Sequence, residues 1–202
     1  MQENETFDSQ KEENLNNINP KITKNKSSWQ SELITFALLI VFVVLPLRFF
    51  IAKPFLVSGA SMYPTFETGD YLIVDQISYK LDNPSRGDVV IFRFPQDTSK
   101  FFIKRIIGLP GERLIINGEE VYIEQKDGTK IKLEEDFVEL EVDSQEDIIL
   151  ADDEYFVMGD NRLQSLDSRV WGPLKQDYIV GRAYLRLLPF SKINLFPGKE
   201  NY

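Results

Sequence analysis

A serine and a lysine are the residues of this chain whose types could support hydrolytic chemistry together. The 202 residues include no histidine and no cysteine. A Ser-His-Asp triad, a thiol nucleophile, a disulfide and a metal site built on histidine or cysteine are therefore excluded. Ser61 lies just downstream of an apolar run, and Lys104 lies among apolar residues. If this chain is a nucleophilic enzyme, its general base must be something other than histidine.

A lysine can act as that base when its surroundings favour the neutral amine. Burial among apolar groups disfavours the charged form and lowers the pKa, and the neutral amine can then take a proton from a serine hydroxyl. The sequence neighbours of Lys104 supply such surroundings: Phe101, Phe102, Ile103, Ile106 and Ile107. The sequence therefore indicates Ser61 as a candidate nucleophile and Lys104 as a candidate base.

Composition limits the classes of protein that the chain can belong to. A hydrophobic content of 43% with 27% charged residues is typical of a globular protein. A length of 202 residues allows one domain of ordinary size with appendages. The net charge of −9 argues against nucleic acid as a partner. We expect no cofactor, no metal and a monomer.

The N-terminal quarter divides into a polar tail and an apolar segment. Residues 1–32 are polar and lack hydrophobic periodicity, which predicts a flexible tail. Residues 33–47 carry no charge, and the apolar character continues to residue 52 with one interruption, Arg48, which could snorkel to the interface. We predict one transmembrane helix over residues 33–52. The alternatives are a buried core helix and a cleavable signal peptide, although the leader is long for the latter and no small-residue cleavage site follows.

The charges that flank the apolar segment predict its orientation. Lysines at 21, 24 and 26 precede it, whereas Arg48 and Lys53 lie at its other end. This small excess of basic residues favours a cytoplasmic N-terminus, with the rest of the chain on the outer side of the membrane.

Residues 53–202 are predicted to form an antiparallel β domain. Short runs rich in β-branched and aromatic residues alternate with turn sequences, including Asn117-Gly118 and Asp127-Gly128. No helical pattern of ten residues appears there. The stretch 133–154 carries 11 acidic residues and no Lys or Arg, and we interpret it as a solvated face. The fold class is thus mainly β after one N-terminal transmembrane helix.

Four motifs, in order, resemble those of the type I signal peptidases. They are residues 61–65 (Ser-Met-Tyr-Pro-Thr), 86–90 (Arg-Gly-Asp-Val-Val), 103–111 (Ile-Lys-Arg-Ile-Ile-Gly-Leu-Pro-Gly) and 159–162 (Gly-Asp-Asn-Arg), the last followed by Ser165, Asp167, Ser168 and Arg169. The resemblance covers about residues 33–190, and four ordered motifs are far more specific than one. It implies that residues 113–150 correspond to the variable β insertion of that family.

The resemblance implies a role for each matching residue. Ser61 would be the nucleophile, Lys104 the general base, and Ser165 would accept a hydrogen bond from the lysine ammonium. Two pairs would hold the loop as structural salt bridges: Asp160 with Arg162, and Asp167 with Arg169. Small apolar pockets for the substrate would be lined by four residues whose alternative assignment is ordinary core: Phe55, Val57, Met62 and Ile103.

Two positions depart from the family pattern. Gly59 occupies a place where many bacterial members have a serine that helps to stabilise the oxyanion, so here that site would rest on backbone N–H groups. Glu112 replaces the usual aspartate after Pro-Gly and keeps its charge.

The function implied by the resemblance is removal of signal peptides from exported preproteins at Ala-x-Ala sites. The enzyme would be a membrane-anchored serine endopeptidase whose partners are preproteins and the lipid bilayer. Two alternatives remain: a soluble Ser-Lys autoprotease of the repressor type, which would carry a nucleic-acid-binding domain, and a membrane-tethered β domain that only binds partners. The apolar run and the acidic balance argue against the first, and the presence of both Ser61 and Lys104 argues against the second.

Overall fold

The computed structural model describes residues 29–44, 52–135, 138, 144–200 and 202. The chain divides into two compact units, residues 1–43 and 44–202. In the first unit, helix α1 covers Trp29–Leu39 and is followed by a π-helical turn, Ile40–Val44. The helix therefore begins four residues before the predicted start, and Glu32 in its first turn suits the positive end of the helix dipole.

The predicted transmembrane segment is only partly described. Residues 45–51 of that segment, and residues 1–28 of the predicted tail, lie outside the described residues. Among the helices that are described, none is both long enough and apolar enough to cross a membrane.

The second unit is mainly antiparallel β, as predicted. Its larger sheet contains β1 (Ala52–Leu56), β2 (Tyr71–Asp75), β3 (Val89–Phe94), β4 (Asp97–Gly108), β9 (Glu154–Met158), β10 (Leu174–Lys175), β11 (Ile179–Leu188) and β12 (Asn194–Leu195). The strand order is β1-β2-β11-β3-β4-β9-β10, with β12 paired to β11. Every pairing is antiparallel. The helices of this unit are short, α2 (Ser78–Leu81) and α3 (Ser168–Trp171).

A smaller sheet is formed by the predicted insertion. Its strands are β5 (Arg113–Gly118), β6 (Glu120–Glu124), β7 (Lys130–Lys132) and β8 (Ser144–Ile149), in the order β7-β6-β5-β8. The predicted Asn117-Gly118 turn joins β5 to β6, with Gly118 at a φ of 63° that favours glycine. Leu114, Ile116 and Ile123 face its core, so one face of this sheet is buried.

The acidic stretch 133–154 is not uniformly a solvated face. Asp147 and Asp152 are exposed and pair with Arg113 and Lys126, whereas the side chain of Glu135 is only 8% exposed and pairs with Arg162 at 2.5 Å. A buried carboxylate requires such a partner because an unpaired charge is costly to remove from water. Glu135 therefore links the insertion to the Gly159–Arg162 motif.

Candidate active site

Ser61 lies in the loop between β1 and β2. The base of this loop is closed by the Val57 N–H, which donates to the carbonyl oxygen of Asp70 at 2.9 Å. Gly59 has a φ of 102°, which a side chain would strain, so glycine suits this turn. The hydroxyl of Thr68 fixes the turn, since it accepts a hydrogen bond from the Gly59 N–H at 3.0 Å. These contacts hold Ser61 half-buried at the edge of a cleft.

Lys104 lies on β4, opposite Val90 of β3. Its Nζ donates hydrogen bonds to Ser61 Oγ at 2.7 Å and to the carbonyl oxygen of Ile103 at 2.9 Å. The side chain is only 3% exposed. The two candidate residues, 43 positions apart in the sequence, thus meet at hydrogen-bonding distance.

Burial lowers the pKa of Lys104 from its ordinary value of 10.5 to about 8. The carboxylates of Asp167 and Asp160 act in the opposite direction, because nearby negative charge favours the ammonium form. The ring centroid of Phe102 lies 5.5 Å from Nζ and contributes to the apolar surroundings. At mildly alkaline pH, about half of the Lys104 amines are therefore neutral and able to accept a proton.

Ser165 follows the 3-10 turn Arg162–Gln164 and lies beside the Ser61 loop. A Cβ on Gly159 would overlap both Ser165 Oγ and the carbonyl oxygen of Ser61, so glycine permits a close approach there. The hydrogen bond expected between Lys104 and Ser165 is not present. Within the described part of the chain, Ser165 Oγ is buried and makes no hydrogen bond of good geometry, and Lys104 bonds to Ser61 and Ile103 instead.

Asp167 and Arg169 form the ion pair that the sequence predicted. Their side chains meet at 2.8 Å, with Asp167 buried and Arg169 half-buried, and Asp167 also accepts a hydrogen bond from the Gly159 N–H at 3.0 Å. Burial acts to raise the pKa of Asp167, but the hydrogen bond and charge of Arg169, and then the nearby hydroxyl of Ser165, hold it below its ordinary value. Asp167 therefore stays ionised and fixes the loop that carries Ser165.

The expected pair between Asp160 and Arg162 is wrong. Asp160 instead binds Arg105, with Nε to Oδ1 at 2.9 Å and Nη2 to Oδ2 at 2.6 Å. Arg162 pairs with Glu135 and donates to the carbonyl oxygen of Gly159 at 3.1 Å. Asp160 and Arg162 are two residues apart in the turn, and each side chain pairs with a charged residue from a different part of the fold.

The loop that carries Asp160 also touches the nucleophile segment directly. The N–H of Asn161 donates to the carbonyl oxygen of Ser61 at 3.1 Å, and Thr65 Oγ1 donates to Asp160 Oδ2 at 2.5 Å. Ser61 is thereby held from both sides, by its own turn and by the Gly159–Arg162 motif.

A cleft of about 330 Å³ opens beside Ser61 and Lys104. Three of the four predicted pocket residues, Phe55, Val57 and Ile103, line it. Met62 does not: it is 1% exposed and packs in the core with Phe66 and Leu72, so the core alternative holds for that residue.

Sequence reasoning missed further residues that line the cleft, among them Leu72, Ile91, Gln164 and Leu166. Ile91 lies beside Ile103 because β3 and β4 pair in that register, which a single sequence does not reveal. Leu166 is 46% exposed, and its place next to Ser165 in the motif was the available signal.

Backbone donors near Ser61 define where an oxyanion could bind. The Gly59 N–H is already bonded to Thr68, so this N–H is not free to bind an oxyanion. Within the described residues the Ser61 N–H has no acceptor, which leaves it available to a ligand.

No group of three acidic residues that could hold a metal ion occurs in the described ranges.

A family model and individual relatives place this chain in the same family. The family described as "Signal peptidase, peptidase S26" matches residues 30–188. The chain is 39% identical over 175 residues to the "Probable signal peptidase I-1" of Synechocystis, which covers 82% of this chain and 87% of that protein. It is 34% identical over 189 residues to the "Signal peptidase I T" of Bacillus subtilis, covering 90% and 97%.

A crystal structure of a signal peptidase I from Enterococcus faecalis is 29% identical, with a TM-score of 0.42 over 50% of this chain and 97% of that one. Both the family match and the identity to the two relatives extend across the Ser61 loop, β4 and the Gly159–Arg162 motif. The chain belongs to the signal peptidase family, peptidase S26.

Proposed function

We propose that this protein is a membrane-anchored serine endopeptidase that removes N-terminal signal peptides from exported preproteins. The observation that carries the proposal is the 2.7 Å contact between Ser61 Oγ and a buried Lys104 at the edge of an apolar cleft. A chain of the signal peptidase family with this pair intact has the parts that peptide hydrolysis needs.

The first half of the reaction forms an acyl-enzyme. Neutral Lys104 accepts the hydroxyl proton of Ser61 as Oγ bonds to the scissile carbonyl carbon. The negative charge on the carbonyl oxygen is stabilised by the Ser61 N–H. The Lys104 ammonium then gives its proton to the leaving nitrogen, the C–N bond breaks, and the mature protein departs with a new amino terminus.

The second half releases the signal peptide. Lys104, again neutral, takes a proton from a water molecule that attacks the acyl carbon. The resulting ammonium gives this proton to Ser61 Oγ as the ester bond breaks, which regenerates the hydroxyl and the neutral amine. In this proposal Ser165 supports the charged stage, because its buried hydroxyl has no other partner among the described residues and is an acceptor for the third N–H of the Lys104 ammonium. No metal and no cofactor is required for either half.

Specificity for small residues before the cut follows from the cleft walls. Phe55, Val57 and Ile103 present bulky apolar groups beside Ser61. An alanine methyl fits a shallow apolar pocket, whereas a larger side chain must displace packed walls, which costs about 1–3 kcal/mol.

The membrane contributes by bringing enzyme and substrate to the same surface. The uncharged residues 33–47 support an anchor, and shared anchoring raises the effective concentration of a preprotein whose own signal segment is membrane-bound. The proposed topology has a cytoplasmic N-terminus and the β domain outside. Reporter fusions after Lys26 and after Tyr202 test it, and a cytoplasmic reporter at Tyr202 would refute the role in export.

The test of function uses the purified full chain in detergent with a preprotein that carries one Ala-x-Ala site. Mass spectrometry of both products should locate a single cut after the second alanine. Ser61→Ala should abolish the cut, and Ser191→Ala, the same change at an exposed serine that does not line the cleft, should retain it. Cleavage that persists in Ser61→Ala, or that falls elsewhere, would contradict the proposal.

A further inference from the structure

The C-terminal segment, residues 197–200, lies far from the catalytic pair in the sequence but contacts its supporting network. Pro197 is buried, and Gly198 adopts a φ of 72°. The carbonyl oxygen of Gly198 accepts a hydrogen bond from Arg105 Nη1. Arg105 directly follows Lys104 on β4 and is fully buried.

Arg105 connects this segment to both halves of the active site. It binds Asp160 through two nitrogens, and its Nη1 also donates to the carbonyl oxygen of Gly87 at 3.1 Å. Asp160 in turn accepts the hydroxyl of Thr65, four residues after the nucleophile. One buried network therefore joins the base strand, the nucleophile loop and the C-terminal segment.

Close packing fixes the C-terminal segment in this place from two sides. A Cβ on Gly198 would lie 2.5 Å from Thr65 Cγ2 and 3.2 Å from Phe66 Cε2, so the backbone of the segment rests directly on the nucleophile loop. On the other side, the Glu200 N–H donates to the carbonyl oxygen of Gly87 at 3.4 Å, and a Cβ on Gly87 would overlap the Glu200 carbonyl.

We propose that residues 197–200 are a positioning element of the active site, which holds Arg105, Asp160 and Thr65 so that Ser61 and Lys104 stay in hydrogen-bonding contact. The segment does not line the cleft, so it acts through other residues rather than on the substrate. The expected effect on kcat rests on the proposed peptidase function. The expected effect on the structure of the network does not. Displacement of a reacting group by about 1 Å can cost about 100-fold in rate.

Gly198→Ala is the perturbation, because its new methyl group would push against Thr65. Gly128→Ala is the matched control: Gly128 also has a positive φ, of 84°, but a Cβ there meets nothing within 4 Å. Both changes carry the same kind of backbone strain, and only the first one disturbs the network. We expect Gly198→Ala to lower kcat about 10- to 100-fold relative to Gly128→Ala, with KM changed less than about twofold.

A rescue variant separates positioning from general destabilisation. Thr65→Ser removes the methyl group that the new Cβ would strike and retains the hydroxyl that binds Asp160. The double variant Gly198→Ala/Thr65→Ser should therefore recover most of the kcat lost, measured against Thr65→Ser alone. Failure of the rescue would contradict the contact on which the proposal depends.

Hydrogen exchange supplies a readout that does not need activity. The amides of Asn161 and Gly159 bond to the Ser61 carbonyl and to Asp167, so a displaced network should accelerate their exchange in Gly198→Ala and not in Gly128→Ala. If wild-type protein fails to cleave any preprotein while this acceleration occurs, the positioning role stands and the proposed function falls. If Gly198→Ala does not fold, Gly87→Ala displaces the segment from the Glu200 side. The proposal would be overturned if the variant that folds, Gly198→Ala or Gly87→Ala, had the same hydrogen-exchange rates and the same kcat as Gly128→Ala.

Discussion

The pH dependence of cleavage should follow the protonation of Lys104. Burial lowers the pKa of this lysine from 10.5 to about 8, and only the neutral amine can accept the Ser61 proton. The neutral fraction is then about one tenth at pH 7 and about nine tenths at pH 9. An unperturbed lysine would be neutral in only about 0.3% of molecules at pH 8, so burial increases the competent fraction more than 100-fold.

The measurement is kcat/KM between pH 6 and 10.5 with a peptide substrate that has no titratable groups near the cut. We expect a tenfold fall per pH unit below about 8 and a plateau above it, because kcat/KM reports the free enzyme. Burial raises the pKa of Tyr79 and of Tyr202 above this range, so these two tyrosines should not contribute a limb. Re-assay at pH 8 after incubation at each pH controls for denaturation.

A charge placed in the cleft should shift this profile in a known direction. Leu166→Asp puts a carboxylate into the cleft that Lys104 also lines and should move the midpoint to higher pH, because negative charge favours the ammonium. Leu163→Asp is the matched control, since Leu163 is 58% exposed and does not line the cleft. A midpoint near 10.5 in the wild type, or a rate independent of pH from 6 to 10, would refute the assignment of Lys104 as base.

Three further predictions concern stability, specificity and the nucleophile turn. Lys104→Met should be inactive yet up to about 3 kcal/mol more stable to denaturant at pH 7. The pKa of Lys104 is lower in the folded protein, about 8, than in the unfolded chain, 10.5, so the free energy of unfolding of the wild type decreases as the pH falls from 10.5 to 8. Below pH 8 this loss of stability is complete, and methionine removes it. A preprotein with leucine instead of alanine directly before the cut should have a kcat/KM about 10- to 100-fold lower, and Ile103→Ala in the enzyme should relieve part of that loss. Equal rates for both substrates in the wild type would show that Ile103 is not a pocket wall. Thr68→Val, which removes the hydroxyl bonded to Gly59, should lower kcat more than it raises KM, and an unchanged kcat would show that this bond does not position Ser61.

Local sequence patterns predicted the strands and the candidate pair because both depend on short-range chemistry. Runs of β-branched residues such as those in β3 and β6 identify strands wherever the strands pack. Lys104 is surrounded in sequence by apolar residues, and it begins the buried half of its strand, residues 104–108, with Ile106 and Ile107. The absence of histidine and cysteine reduced the alternatives further.

The partners of buried charges could not be predicted in the same way. Asp160 binds Arg105 across 55 residues, and Arg162 binds Glu135 of the insertion. Such pairs are set by which strands become neighbours, and a single sequence carries no register. For the same reason Met62, adjacent to the nucleophile, was expected in a pocket and lies in the core.

The most direct test of the central claim is a cycle of variants at the two candidate residues. Single-turnover rates of preprotein cleavage should be compared for wild type, Ser61→Ala, Lys104→Ala and the double variant, with folding verified for each. Because the two side chains act as one unit at a 2.7 Å contact, each single change should abolish cleavage and the double variant should be no slower than either. Lys104→Arg should be as inactive as Lys104→Ala, since a guanidinium does not lose its proton. More than about a tenth of the wild-type rate in either single variant, or losses that add in the double variant, would contradict the Ser61–Lys104 mechanism.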